Sequence, residues 1–463
     1  MRGSPDYQTG GGAAAAGGWH RSWARAWSTT GHHGQALAWV LGGKLGLIGA
    51  NAALTLVLAN VLEVEIYGIL VAAIGLQLLI SRAILLGVET GLMRFQTLAD
   101  VAERAVQVGR AGLVVILGTT AIISLGAFAI AFVWSWAEIP RWGITVVIGG
   151  ALGTALVDYG YHYRLAGLEF RTAAAVQGGT ALARTLVTGL TAILVGGHAM
   201  ATFLAYAAIT AVSGVLQAAT VIRGTSGKPP RPLVWRLVRY SAWLGVANIL
   251  VVLSLYEGTF LLLHLDQPAA ASVFGLALTL SLGFFALYNA FYEYAVARIV
   301  RVGSRQMRRF VLRSCGAALA LSLVCAPLIG IIGLVIPHLV REEFAGVGTV
   351  FYLLAASMLV LVLQAPLEAA CHALQRPHLI LLGWALRVIV IAFLIWRAGP
   401  DGGPLGAALA QLGGGLVAAG ILVVLVVRGF RGANWGRLAD SRHVRDSEAN
   451  GRRPLPAHPG AAS

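Results

Sequence analysis

Four basic residues, Lys44, Arg82, Arg184 and Arg387, sit inside long apolar stretches of this 463-residue chain, and five acids, Glu89, Asp158, Glu257, Glu293 and Glu368, do the same. A guanidinium offers a planar fork for phosphate or carboxylate and an ammonium offers a point charge, so the basic set suits anion binding. The acids suit charge pairing, coupling or proton transfer. Asp158 and His162, and Glu368 and His372, are spaced i,i+4, which puts each pair on one helical face as a gate or relay. Tyr288, Asn289, Tyr292 and Glu293 bring rings, an amide and a carboxylate together, chemistry suited to a hydroxyl-rich ligand. Each residue also has a plainer reading. Lys44 can snorkel to an interface. Arg82 can pair with Glu89, two turns away on the same face. Arg184 and Arg387 can bind other helices or backbone carbonyls, the i,i+4 acids can be neutralised near an interface, and the tyrosines can be core. There is no P-loop, no G-x-S-x-G and no metal-ligand spacing, so neither a catalytic centre nor a cofactor is expected. Cys315, Cys325 and Cys371 lie within or at the ends of apolar runs and read as small core residues.

The elements that must hold these groups are apolar helices. The chain is 58% hydrophobic, 11% charged and has a mean hydropathy of +0.78, whereas a soluble domain is about a quarter charged. A soluble enzyme, a disordered protein and a disulfide scaffold are excluded. Twelve apolar segments are expected, at about 38–60, 66–92, 111–135, 142–163, 173–196, 199–222, 237–264, 269–297, 312–336, 347–371, 377–396 and 404–427. At 1.5 Å per residue each spans, or nearly spans, roughly 30 Å of hydrocarbon. The runs are too long and too weakly alternating for strands. The fold class is therefore an all-α polytopic membrane protein. A charged group exposed to lipid at a helix centre costs about 2.5–3.5 kcal/mol, so the four buried bases must face protein or water.

The net charge of +15 follows membrane topology rather than a nucleic-acid surface. Of 34 Lys and Arg, 27 fall in alternate connections and the two tails, and only Arg141, Arg341 and Arg397 fall in the opposite set. That asymmetry puts both termini in the cytoplasm and the protein in the cytoplasmic membrane. The acidic loops are short, and Trp134, Trp136 and Trp142 flank one of them as interfacial anchors. Residues 1–34 lack the apolar core of a signal peptide and read as a disordered tail. A second polar tail is expected from 429.

The Pro/Gly/Lys stretch within 224–236 divides the chain into lobes at 35–223 and 237–428, with six segments each. Six is even, so both lobes enter the membrane in the same direction and form a parallel repeat. Local matches agree: Tyr67-Gly68 corresponds to Phe274-Gly275, and Arg184 to Arg387.

The acidic turn and helix start Leu62-Glu-Val-Glu-Ile-Tyr-Gly-Ile-Leu, the stretch Gly87-Val-Glu-Thr-Gly-Leu-Met-Arg-Phe, the runs Leu237-Val-Arg-Tyr-Ser and Leu255-Tyr-Glu-Gly-Thr-Phe, and the segment opening Ser272-Val-Phe-Gly carry a family resemblance. Residues 35–430 resemble polysaccharide-transport flippases of the multidrug/oligosaccharidyl-lipid/polysaccharide exporter superfamily. The chain departs from many relatives in having Ala242-Trp243-Leu244 where they carry an early proline in the seventh helix.

The resemblance implies a cavity lined by segments 1, 2, 7 and 8, and transfer of an undecaprenyl-diphosphate-linked oligosaccharide between leaflets. On that basis Lys44 and Arg82 are expected to contact the diphosphate, with Asn51 on the Lys44 face. Glu257 is expected as a charge partner, and Tyr288, Asn289 and Tyr292 as sugar contacts. Glu89, Asp158, His162, Arg184, Glu293, Glu368, His372 and Arg387 are candidates for gating or coupling. The expected partners are membrane lipids, the lipid-linked glycan and other polysaccharide assembly proteins, not nucleic acid. Three alternatives stand beside this reading. A cation-coupled multidrug exporter would favour an acidic cavity. An integral glycan polymerase or ligase would call for a larger outer loop. A non-transporting subunit of an export complex is the third.

Overall fold

The structure is a computed structural model that describes Trp39 and residues 42–97, 102–133, 141–167, 169–223, 228–299, 304–374, 376, 378–398 and 400–432. The expected tail 1–34 and most of the tail from 429 lie outside the described residues, as do Trp134, Trp136 and the side chain of Trp142. The described residues are almost entirely helical. In chain order the helices are α1 (Gly42–Val61), α2 (Val64–Leu85), α3 (Val88–Thr97), α4 (Ala102–Val133), α5 (Arg141–Ala166), α6 (Phe170–Leu194) and α7 (Ala199–Ile222). They continue with α8 (Arg231–His264), α9 (Pro268–Ile299), α10 (Ser304–Leu339), α11 (Val347–Ala373), α12 (His378–Ala398) and α13 (Gly403–Gly432).

Eleven of the described helices are long and apolar enough to cross a membrane. The exception among the long ones is α6, whose 25 residues include Arg171, Gln177 and Arg184. It is long enough for roughly 37 Å, and it presents Leu182, Leu186, Leu190 and Leu194 on its exposed side. The chain is a multi-pass membrane protein of the fold class that the apolar segments predict. Several helices begin earlier than their apolar runs. α8 starts at Arg231 rather than 237, so part of the expected linker is helix, and α10 starts at Ser304 rather than 312. Arg and Ser continue a helix beyond the hydrocarbon, where apolarity no longer marks it. α13 likewise runs to Gly432, past the expected start of the tail.

The second apolar segment differs most from expectation. It is two helices, separated by a left-handed turn at Leu86 (φ 46°) and Gly87 (φ 73°). The break lets α8 come close. A Cβ added to Gly87 would meet Ser241 O and Gly245 N, and one added to Gly245 would meet the Leu86 backbone. Glu89 thereby falls in the first turn of a new helix.

Helix pairings recur between the halves. α5 packs on α2, α4, α6 and α7, while α11 packs on α9, α10 and α13, with α12 beside α13. The halves meet along α2, which lies against both α8 and α9, and along α3 and α4, which lie against α8. The two glycines of the matched Tyr-Gly and Phe-Gly pairs serve the α2–α9 crossing: Gly68 meets Pro268 and Ser272, and Gly275 meets Val71. Ser272 Oγ also donates to Val64 O. At that same end Asn60 Nδ2 donates to Leu339 O at 3.0 Å, Arg341 Nη1 donates to Leu62 O at 3.2 Å, and Tyr67 meets Phe344 edge-on. At the basic end Phe95 of α3 meets Tyr240 of α8 with ring centroids 5.6 Å apart.

Candidate functional site: paired and unpaired cations along the seam

On α1, Lys44 and Ile48 meet α9, where Lys44 Nζ lies 3.2 Å from Glu293 Oε1 and Ile48 packs at Gly283. One further turn along, Asn51 Oδ1 accepts a 2.6 Å hydrogen bond from Arg184 Nη2 of α6. The face of α1 that carries Lys44, Ile48 and Asn51 therefore looks between α9 and α6. The Lys44 side chain is 12% exposed and Glu293 is 48% exposed, so water reaches this pair from the acid's side.

Arg82 does not pair with Glu89. Its Nη2 lies 2.9 Å from Asp158 Oδ2 of α5. The turn at Leu86–Gly87 removes the continuous helix on which a seven-residue spacing would have put Arg82 and Glu89 on one face. Glu89 accepts instead from Asn248 Nδ2 of α8 at 2.7 Å, and its other carboxylate oxygen is buried without a partner among the described residues. Asp158 and His162 do not form a carboxylate–imidazole pair either. The Asp158 carboxylate goes to Arg82, and His162 Nδ1 sits 2.8 Å from the Asp158 backbone oxygen.

The residues on α9 turn into the C-terminal half. Tyr288 is buried, stacks with Phe285 and Tyr292 and meets Trp384 edge-on. Its hydroxyl donates to Glu368 Oε2 at 2.7 Å, and Gln364 Nε2 donates to Glu368 Oε1 at 2.7 Å. Asn289 beside it is half-buried. The Glu368 carboxylate is thus engaged by a tyrosine and an amide; the side chain of His372, its expected i,i+4 partner, lies outside the described residues.

Arg387 of α12 is 0% exposed. Its Nη2 donates to Ser357 Oγ and Gln411 Oε1, each at 3.1 Å, and Cζ lies 5.5 Å from the Trp384 ring centroid. Glu257, Glu368 and Tyr288 lie within electrostatic range of it, yet Nε and Nη1 have no hydrogen-bond partner among the described residues. Gln411 also donates to Ser254 O and, at 3.2 Å, to Leu255 O, tying α13 to α8. Glu257 is buried with one carboxylate oxygen unpartnered.

Arg184 occupies the matched place in the N-terminal half and is 9% exposed. Besides Asn51 it has the Tyr206 ring of α7, whose centroid lies 4.9 Å from Cζ. Both arginines are therefore held by one side-chain amide and one aromatic face, and neither has a carboxylate within 4 Å among the described residues. Attending only to ionisable side chains missed Gln364, Gln411, Asn248 and Ser357. Amides and hydroxyls inside apolar runs were the available signal. Nothing local marked Tyr206 or Tyr256 as more than aromatic filling.

Among the described residues no group of His, Cys, Asp and Glu is arranged to hold a metal ion. The arrangement offers anion-binding cations, some already neutralised and some not, next to the line where the halves meet.

No protein-family model matches the sequence, and no curated protein matches it significantly. Solved structures do match in fold. One is described as the lipid II flippase MurJ in an inward closed conformation, 12% identical, with a TM-score of 0.61 over 85% of this chain and 89% of that one. A eukaryotic MATE transporter is 13% identical, with a TM-score of 0.57 over 89% and 98% of the two chains. A MOP-superfamily transporter from Pyrococcus furiosus, described as having a binding pocket of reversed polarity, is 15% identical, with a TM-score of 0.53 over 85% and 95%. The chain has the fold of these transporters and of this flippase.

Proposed function

We propose that this chain is a flippase of the cytoplasmic membrane. It moves an undecaprenyl-diphosphate-type oligosaccharide or polysaccharide precursor between leaflets by alternating access of its two six-helix lobes, with both termini cytoplasmic. The fold supports a transporter, and the basic helix ends support an anionic cargo. The observation that carries the reading is the condition of Lys44 and Arg82. Each is partly buried near the basic end, on α1 and α2, and each is held by one carboxylate that is itself partly exposed: 48% for Glu293 and 24% for Asp158. Both acids are partly open to solvent, so a competing anion can reach the two cations. A multiply charged diphosphate exchanges readily for such partners, and Arg82 then offers its fork to it.

A cation-coupled multidrug exporter of the same fold is the second reading. Glu89 and Glu257 favour it, since each is buried with a carboxylate oxygen left unpartnered. Leaflet-transfer measurements on the purified chain in liposomes separate the two. The flippase moves a fluorescent undecaprenyl-diphosphate-linked sugar, and Lys44→Ala and Arg82→Ala lose that movement while remaining inserted. Transfer of a cationic dye with none of the lipid-linked sugar selects the exporter. In cells, deletion of the flippase leaves lipid-linked sugar facing inward.

A further inference from the structure

We propose that Arg184 is the centre of a diphosphate-binding subsite in the N-terminal half, built by α1, α6, α7 and α8. This deepens the flippase reading and rests on it for the source of the diphosphate. The other buried cations have partners or acids close by. Lys44 has Glu293 and Arg82 has Asp158. Arg164 donates to Gly160 O and Thr220 Oγ1 near the basic end. Arg387 has the fields of Glu257 and Glu368 around it. Arg184 has no ion pair among the described residues, although it is more than nine-tenths buried.

Its surroundings are polar and incompletely satisfied. Nη2 is anchored on Asn51 Oδ1 at 2.6 Å, while Nε is buried without a partner among the described residues. Thr188, one turn along α6, has a buried hydroxyl that also lacks a partner. The Tyr206 ring lies on the guanidinium. Tyr256 of α8 is within electrostatic reach of Arg184 and Tyr206, and its ring fills the hollow at Gly75 of α2. The site therefore adjoins the seam between the halves. A buried charge left without a counter-charge is costly. A phosphate oxygen at the unpaired Nε, with Thr188 donating to it, supplies the missing charge and both missing hydrogen bonds. The ligand class is a diphosphate, carried on a lipid or free.

Asn51→Asp tests this sharply, because it puts a carboxylate on the atom that Arg184 already touches. It completes an ion pair without removing the arginine. The full chain in uncharged phosphatidylcholine nanodiscs is titrated with farnesyl diphosphate, inorganic pyrophosphate and farnesol, with thermal unfolding of each variant measured alongside. The wild type binds a diphosphate and is indifferent to farnesol. Asn51→Asp unfolds at or above the wild-type temperature and binds roughly 30-fold or more weaker, the smallest loss typical of a disrupted buried charge pair. Arg184→Gln loses at least as much, and Arg184→Lys lies between.

Preference for farnesyl diphosphate assigns the site to a lipid headgroup, and equal binding of pyrophosphate assigns it to the free anion. A folded Asn51→Asp or Arg184→Gln protein that binds diphosphate as the wild type does, or farnesol bound as tightly as its diphosphate, overturns the subsite. Leaflet transfer undiminished in Asn51→Asp also overturns the subsite and leaves the flippase standing. Arg184-dependent binding without any leaflet transfer overturns the flippase and leaves the subsite.

Discussion

Lys44 of α1 and Glu293 of α9 form an ion pair, 3.2 Å apart, between residues 249 positions apart in the chain. The pair bridges the two halves near the basic end, which the proposed alternating access parts and closes. Glu293 is half-exposed but Lys44 is only 12% exposed, so Glu293→Gln leaves a mostly buried ammonium without its carboxylate and is expected to lower the unfolding temperature. A pair of cysteines at Lys44 and Glu293, in a background without Cys315, Cys325 and Cys371, is expected to stop transfer when bridged by a short thiol crosslinker. Reductant restores it. Undiminished transfer in the crosslinked protein would show that α1 and α9 need not separate there.

The ring of Tyr256 fills the space that Gly75 leaves on α2. A Cβ on Gly75 falls into that ring, so Gly75→Leu is expected to force α2 and α8 apart. Overpacking of this kind costs about 1–3 kcal/mol. The expected result is a lower unfolding temperature in detergent together with altered Tyr256 accessibility. An unchanged melt argues against this seam.

Gly87 has φ 73° and lies against Ser241 and Gly245. Gly87→Ala meets a left-handed backbone penalty of roughly 1–2 kcal/mol as well as a clash. Its melting point is expected to fall further than that of Gly118→Ala, at a position where nothing lies within 4 Å of an added Cβ.

Gln411 supports Arg387 on one side and the α8 carbonyls of Ser254 and Leu255 on the other. Gln411→Leu removes the bond to Arg387 Nη2, which keeps Ser357 Oγ, and the ties to the α8 carbonyls, at about 0.5–1.5 kcal/mol net for each hydrogen bond lost. Thermal unfolding is expected to drop. Transfer per folded molecule is expected to hold, because the network is sealed inside the C-terminal half. A normal melt with lost transfer would move Gln411 into the transport machinery.

We propose that the membrane potential drives export of the anionic cargo. An anion leaving a negative interior gains about 2.3 kcal/mol per charge for each 100 mV. Collapsing the potential with valinomycin and potassium while keeping the pH gradient is expected to halt export, and nigericin alone is not. The reverse pattern would point to proton coupling.

Much of the architecture was legible because lipid imposes simple requirements. A spanning segment must be long, apolar and helical, and basic residues mark the side that is not translocated. Hence a series of long apolar helices, and their order, was readable from composition and spacing, although eleven of the described helices are long and apolar enough to span where twelve segments were expected, and the second segment is two helices. The match of Tyr67-Gly68 with Phe274-Gly275 was visible as a repeat. The turn at Leu86–Gly87 was not, because it lies inside an unbroken apolar run and is required only by the approach of Gly245 from another helix. The ionisable residues of the site were legible one at a time, as charges that cannot face lipid. Their partners were not. Arg82 takes Asp158, seventy-six positions away, rather than the neighbouring Glu89, because a long side chain reaches whichever acid the packing presents. The sequence by itself determined that positive charge is buried in this membrane protein. Only the tertiary structure decided that Lys44 and Arg82 are neutralised while Arg184 is not, because charge pairing depends on distances across helices that sequence spacing does not encode.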